Sequence, residues 1–176
     1  QIQNFMNHPV GTQNGVLFSQ LYFAENTDYG KIHGFNSISN YNDFTRNVPI
    51  VTYEDFEPYI EKARQGNPDI FWPGYIRKFA KSSGTTNAKS KFIPISDESL
   101  EDCHFKAGKD LLSIYANNHP ENSLFSNKNL RLGGSSELYE DFNTKFGDLS
   151  AIMIENLPFW VEITTTPSRK VSLMSE

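Results

Sequence analysis

At 176 residues the chain is the size of one ordinary domain, and its 38% hydrophobic, 21% charged and 14% aromatic content describes a chain that folds around a core. A net charge of -5 and an isoelectric point near 5.4 argue against a nucleic-acid surface and against polybasic contact with a membrane. Cys103 is the single cysteine, which excludes an intrachain disulfide and a four-cysteine zinc site.

In chain order, Leu17, Leu21 and Ala24 recur on one face of a helix predicted over residues 13–25, ended by Asn26-Thr27-Asp28 and Gly30. Such a stripe serves core packing far more often than a partner groove. After the apolar Val48-Pro49-Ile50-Val51, Thr52 or Asp55 caps a helix through Ala63 that Gly66 stops, with Pro58 tolerated in its first turn. Asn67-Pro68 and Trp72-Pro73-Gly74 mark turns.

Residues 75–80 and 92–95 then read as two short strands that flank a polar loop. Ser96 or Asp97 caps the longest predicted helix, whose stripe of Leu100, Cys103, His104, Ala107, Leu111 and Ile114 runs to Asn117-Asn118-His119-Pro120. Leu130-Arg131-Leu132 before Gly133-Gly134 reads as the end of a strand. The apolar stretch 152–161 is broken by Pro158, and a last element starts at Lys170. These elements predict an α/β fold, and no repeat or linker places an internal boundary within 1–176.

The polar loop carries Ser82, Ser83, Thr85 and Thr86 around Gly84, with Lys89 and Lys91 behind them. A phosphate chain needs converging donors and positive charge, and this set supplies both. It is not the nucleotide P-loop of the Gly-x-x-x-x-Gly-Lys-Ser/Thr type, since Lys89 stands where the second glycine belongs. On composition alone a solvated hairpin remains open beside the phosphate cradle.

The ordered set Ser82-Ser83-Gly84-Thr85-Thr86, a following lysine and Ile93-Pro94 resembles the first nucleotide-binding motif of the adenylate-forming enzymes. More narrowly, it is similar to the auxin-responsive-promoter family of acyl-acid amido synthetases. Thr27-Asp28-Tyr29-Gly30, the run Val48 to Asp55, Pro58-Tyr59-Ile60 and the Phe79 strand extend the resemblance over nearly the whole chain, most closely to the family's bacterial branch.

That resemblance implies the N-terminal part of the large domain of an adenylate-forming enzyme, an incomplete mixed sheet with flanking helices. It also implies a ligase that uses ATP and magnesium to adenylate a carboxylic acid and pass the acyl group to an amino acid. Ser82, Ser83, Gly84, Thr85 and Thr86 would line the phosphates, with Lys91 in the place of the family's lysine and Lys89 as added charge. The chain departs from the family in having Ala88 where a glycine is usual, a stiffer residue.

The family's later motifs are absent. Ser135-Ser136-Glu137 and Phe146-Gly147-Asp148 echo them only superficially. The chain is therefore expected to be an N-terminal fragment, inactive alone, whose remainder belongs to the same polypeptide; Gln1 in place of Met agrees with that. A noncatalytic interaction or nucleotide-binding module on the same scaffold is the alternative.

Other constellations carry less. His8, His33, His104 and His119 are scattered without ligand spacing, so no metal site is expected. Cys103 and His104 point about 100° apart on a helix, which favours packing over a thiol and its base. Gly134-Ser135-Ser136-Glu137 lacks the second glycine of a nucleophile elbow. Glu54, Asp55, Glu57 and Glu61 read as a solvated face and helix-start charges. With no apolar run of about 18 residues, no signal peptide and no Asn-x-Ser/Thr sequon, a cytoplasmic protein is expected.

Overall fold

A computed structural model describes residues 2–82, 90–132 and 137–174. The chain gathers into two compact units, Gln1–Ile76 and Arg77–Glu176, which are taken in turn.

The first unit is helical: α1 (Ile2–Asn7), α2 (Pro9–Ala24), α3 (Asp28–Ile32), a 3-10 turn at Phe35–Ser37, α4 (Tyr41–Asn47) and α5 (Tyr53–Arg64). Helix α2 starts earlier than its periodicity suggests because Pro9 opens its first turn, where a missing N–H costs nothing. Its predicted face is the buried one, with Leu21 and Ala24 inside and Leu17 half-buried.

Thr27 then works on both sides of the next turn. Its hydroxyl donates to the Ala24 carbonyl at 2.7 Å and accepts the Gly30 N–H at 3.0 Å, which caps α3 while closing the end of α2. The turn delivers Tyr29 into an aromatic cluster with Phe56 at 4.9 Å and Tyr59 at 5.7 Å between ring centres. Burial, with the neighbouring Tyr59 phenol second, raises the Tyr29 pKa above its ordinary value.

Both residues singled out as caps of α5 take part. Thr52 is the N-cap, and the Asp55 carboxylate returns to the Thr52 N–H at 2.8 Å in a capping box. Pro58 lies in the second turn rather than the first, where it interrupts the hydrogen-bond ladder inside the helix. The helix continues because its buried face, Ile60 and Ala63, lies beyond the proline. Gly66, at φ 82°, ends it as expected.

The second unit holds a four-stranded sheet in the order β2-β1-β5-β4. Its strands are β1 (Lys78–Lys81), β2 (Phe92–Ile95), β4 (Leu138–Asp141) and β5 (Thr144–Gly147). β1 runs antiparallel to β2 and parallel to β5, and β5 is antiparallel to β4. The sheet is therefore mixed, as expected. The first strand begins at Lys78 rather than Tyr75, since the chain before it closes a loop through Asp69 N–H to Gly74 C=O at 2.9 Å.

Between β2 and β4 lie a helix and β3 (Asn129–Leu130). The helix begins as a π-helical segment, Ser99–Phe105, and continues as α6 (Lys106–Asn118). Ser96 caps it, accepting the Ser99 N–H at 3.1 Å. The predicted stripe holds at Leu100, which is buried, and is lost beyond it: Cys103, Ala107, Leu111 and Ile114 are exposed, and Phe105 and Leu112 take the inner side. The π winding is the reason, since hydrogen bonds that close one residue further along widen each turn and rotate every later side chain against a 3.6-residue period.

After the sheet come α7 (Leu149–Glu155), α8 (Phe159–Glu162), β6 (Thr165–Thr166) and α9 (Arg169–Ser172). Pro158 is the N-cap of α8, so the apolar run 152–161 divides there. β3 and β6 form a separate parallel pair, which bears out a strand ending at residues 130–132. Ile152 of α7 packs with Ala80, Ile95, Leu100 and Phe105 in one apolar cluster under the sheet. Opposed residues of neighbouring strands share a face, so Phe79, Phe92, Tyr139 and Phe146 lie on the other side.

Candidate functional site

Parallel strands bring their carboxyl ends to one edge of a sheet, and that edge is where open α/β sheets bind ligands. Here β1 and β5 are the parallel pair, with Ala80 opposite Gly147. Just beyond that rung, Lys81, Ser82 and Ser90 meet Glu137, Tyr139, Gly147 and Asp148 around a cleft of about 300 Å³.

The two ends of the polar loop meet at this edge. Ser82 and Lys91 face each other at its neck: the Ser82 N–H donates to the Lys91 carbonyl at 2.9 Å, and the Lys91 N–H donates to the Ser82 hydroxyl at 3.1 Å. Ser82 also lines the cleft, whereas Lys91 is not among the described residues that line it. Ser83, Gly84, Thr85, Thr86 and Lys89 lie outside the described residues, as do Ala88 and Gly133 to Ser136.

The opposite wall comes from segments that sequence reasoning set aside. Glu137 accepts a hydrogen bond from the Tyr139 phenol. That bond, then the Glu137 charge, raises the tyrosine's pKa. The Tyr139 ring stacks on Phe146 at 5.5 Å, which anchors this wall to the sheet. A Cβ on Gly147 would stand 2.5 Å from the Glu137 carbonyl oxygen, so the two strands close as they do only because residue 147 has no side chain.

The cleft mixes one ammonium, from Lys81, with two carboxylates and three hydroxyls. Hydroxyls and an ammonium suit phosphate oxygens, while the carboxylates would repel a bare phosphate and tolerate one carried with a cation. Among the described residues no group of three or more His, Cys, Asp or Glu is placed to hold a metal ion by itself. Of the histidines, His33 bonds the Asn47 carbonyl at 2.9 Å and His119 pairs with Glu121 at 3.4 Å. Cys103 is exposed, so it does not take the packing role that its place on the predicted stripe suggested.

The same unit holds a second, apolar cavity of about 410 Å³ beneath α6, α7 and α8. Phe105, Leu112, Phe125, Met153, Leu157 and Trp160 are among the apolar residues of its wall. His104 and Lys109 are the basic residues on it, and no carboxylate is among its described lining residues. Gly108 opens it further, since nothing lies within 4 Å of where its Cβ would stand.

Comparison with known proteins places these features. A family model described as the GH3 family N-terminal domain matches residues 1–176. Jasmonoyl--L-amino acid synthetase JAR6 of Nicotiana attenuata is 40% identical over 76 residues, 43% of this chain and 13% of that protein. Indole-3-acetic acid-amido synthetase GH3.15 of Arabidopsis thaliana is 37% identical over 91 residues, 51% of this chain and 15% of that protein.

A solved GH3.15 acyl acid amido synthetase superimposes with a TM-score of 0.74 at 22% identity, covering 97% of this chain and 30% of that one, which shows the shared fold. A second, titled AtGH3.15 acyl acid amido synthetase in complex with 2,4-DB, gives a TM-score of 0.61 at 25% identity, covering 82% of this chain and 25% of that one. The chain thus spans less than a third of the length of these relatives. They are plant proteins, and as such give the bacterial branch no support.

Proposed function

The chain belongs to the GH3 family, matched as its N-terminal domain, and from that premise we propose that the protein carrying it is an ATP-dependent acyl-acid amido synthetase. A carboxylate oxygen attacks the α-phosphorus of ATP, pyrophosphate leaves, and an amino acid's amine then attacks the acyl carbon. The amine loses a proton, AMP leaves, and an amide remains. A free carboxylate is a poor electrophile, so the work of the first step is to hold the phosphates and stabilise the charge that moves to pyrophosphate.

The observation that carries this reading is the cleft at the carboxyl ends of β1 and β5, which Lys81, Ser82 and Ser90 line. Ser82, Ser83, Gly84, Thr85, Thr86, Lys89 and Lys91 are the proposed phosphate-binding set, a set of donors that suits a triphosphate. Glu137 and Asp148 suit a magnesium ion that travels with the nucleotide, because two carboxylates complement a cation and phosphate oxygens supply its other ligands. ATP is the cofactor on this reading, and the cytoplasm, where ATP is made available, is the proposed location.

For the acid, the apolar cavity is the proposed receptacle. Its volume falls in the range of small-molecule sites, and its basic residues complement a carboxylate. Apolar acids, aromatic or branched, are therefore the proposed substrate class.

The test is ATP–pyrophosphate exchange by the longest gene product containing this sequence, with a panel of carboxylic acids, against Thr85→Ala and Lys91→Ala. Exchange that requires an acid and falls in both variants supports adenylation. No exchange with any acid, with ATP binding unchanged in the variants, would replace this reading with a noncatalytic module.

A further inference from the structure

Between α3 and α5, within the first unit, lies a cavity of about 520 Å³ that neither the nucleotide nor the acid has been assigned to. Asp28, Lys31 and Ile32 line it from α3, at the i, i+3 and i+4 spacing that shares one helix face. Pro58, Tyr59 and Lys62 line it from α5, with Pro58 and Lys62 four residues apart. Its walls are held from behind. The Asp28 and Tyr29 N–H groups donate to the Asp69 and Ile70 carbonyls at 2.8 and 2.9 Å, which anchors α3. The Tyr59 ring meets the buried Tyr29 edge-on at 5.7 Å and stands 6.1 Å from Phe56, which fixes the ring in place.

Both signs of charge line this cavity, and they are not paired with each other. Among the described residues no carboxylate forms an ion pair with Lys31 or Lys62, and the Asp28 carboxylate accepts no hydrogen bond. The Lys62 ammonium lies 5.8 Å from the centre of the Tyr59 ring. The rest of the wall is apolar surface that the core does not use. Ile32 is 63% exposed. Pro58 interrupts the ladder of its own helix, a local cost of the kind that folds accept chiefly where a residue serves another purpose.

We propose that this cavity binds a small zwitterion with an apolar body, the chemistry of an apolar α-amino acid. The ligand's carboxylate lies with Lys31 and Lys62, its ammonium with Asp28, and its side chain on Ile32, Pro58 and the Tyr59 ring. A bare phosphate would suit the two lysines but would face the Asp28 carboxylate and leave the apolar wall empty. A simple amine would suit Asp28 and face two ammonium groups. A ligand with both charges and an apolar body complements all six lining residues, and the volume falls in the range of small-molecule sites. Lys31 and Lys62 are exposed, so each ion pair contributes little and the affinity is expected to be millimolar. The site stands on the first unit alone and does not depend on the adenylation reading.

The experiment is calorimetric titration of the longest gene product containing this sequence, without ATP or acyl acid. Wild type, Asp28→Asn, Lys31→Gln and Lys62→Gln are titrated with L-phenylalanine, phenethylamine and inorganic phosphate, and thermal unfolding checks that each variant is folded. These substitutions keep the size of exposed side chains, and the amine lacks only the carboxylate of the amino acid. Each lysine variant is expected to weaken L-phenylalanine by roughly three-fold and to strengthen phenethylamine, whereas Asp28→Asn weakens both. A merely structural role would move the two ligands in the same direction in all three variants.

L-phenylalanine that does not bind the wild type at millimolar concentration overturns the proposal. Binding that is equal in all four proteins does so too, because the amino acid is then held elsewhere. Phosphate that binds more tightly than the amino acid, weakens in the lysine variants and strengthens in Asp28→Asn would replace the zwitterion site with a simple anion site. None of these outcomes bears on ATP–pyrophosphate exchange, so the failure of this site and the failure of the adenylation reading are read separately.

Discussion

The carbonyl oxygen of Ala24 lies 2.0 Å from the point where a Cβ on Gly30 would stand. The approach is between main chains, so no side-chain rotation relieves it. It exists because Thr27 ties the end of α2 to the start of α3 with bonds on both sides, and the turn is tight enough for only a hydrogen at residue 30. Gly30→Ala is expected to destabilise the protein by about 2 kcal/mol or more, the scale of overpacking in a well-filled site. Urea unfolding measures this, and a variant within a few tenths of wild type would contradict it.

Gly147 presents the same constraint at the proposed nucleotide cleft. A Cβ there would meet the Glu137 carbonyl oxygen at 2.5 Å and the Leu138 side chain at 3.0 Å. Gly147→Ala must push β4 away from β5, and β4 carries the Glu137 and Tyr139 wall of the cleft. The expected result is a loss of about 2 kcal/mol in stability together with a higher KM for ATP. A stability loss with unchanged KM would mean that this wall does not contact the nucleotide.

Legibility in the sequence follows the distance over which each feature is determined. The strand at residues 92–95, the cap at Ser96 and the stop at Gly66 are set by neighbours in the chain, and local patterns located them, whereas the strand at 78–81 was read as 75–80. The β4–β5 hairpin was missed because its turn places Phe142 at φ 46° and Asn143 at φ 66°, and a phenylalanine there masks the turn signal that Asn143 alone gives. Within the site, Ser82 and Lys91 came from one contiguous motif. Glu137, Tyr139, Gly147 and Asp148 reach it only through the parallel pairing of β5 with β1, a long-range choice that no local spacing encodes. The apolar cavity was hidden for another reason: the π segment turns Phe105 and Leu112 inward and Leu111 outward.

Asp55 ties stability to pH. Its carboxylate accepts from the Thr52 N–H at 2.8 Å, and that bond, followed by the one from the Thr52 hydroxyl, lowers its pKa. A carboxyl whose folded pKa is lowered contributes stability that is full above the unfolded pKa, near 3.9, and is lost as pH falls through the folded value. Asp55→Ala is therefore expected to be less stable than wild type at neutral pH, with the gap narrowing below about pH 4. Thermal unfolding across the acid range tests the sign, and a gap that widens on acidification would refute it.

Gly108 allows the acid-binding proposal to be tested without disturbing the fold. It lies inside α6, no φ in the left-handed region demands a glycine, and nothing stands within 4 Å of its missing Cβ. Gly108→Ala should stabilise the protein by about 0.5–1 kcal/mol, since glycine in a helix interior is the poorer choice. Gly108→Leu keeps the helix and extends its side chain into the apolar cavity of about 410 Å³. If that cavity receives the acyl group, KM for bulky acids rises in Gly108→Leu by roughly ten-fold or more, the discrimination that a few methylenes provide in an apolar pocket. Small acids would be spared, and KM for ATP would not move. A stable Gly108→Leu protein with an unaltered acid profile would show that the acyl group is held elsewhere, while leaving the nucleotide cleft at β1 and β5 untouched.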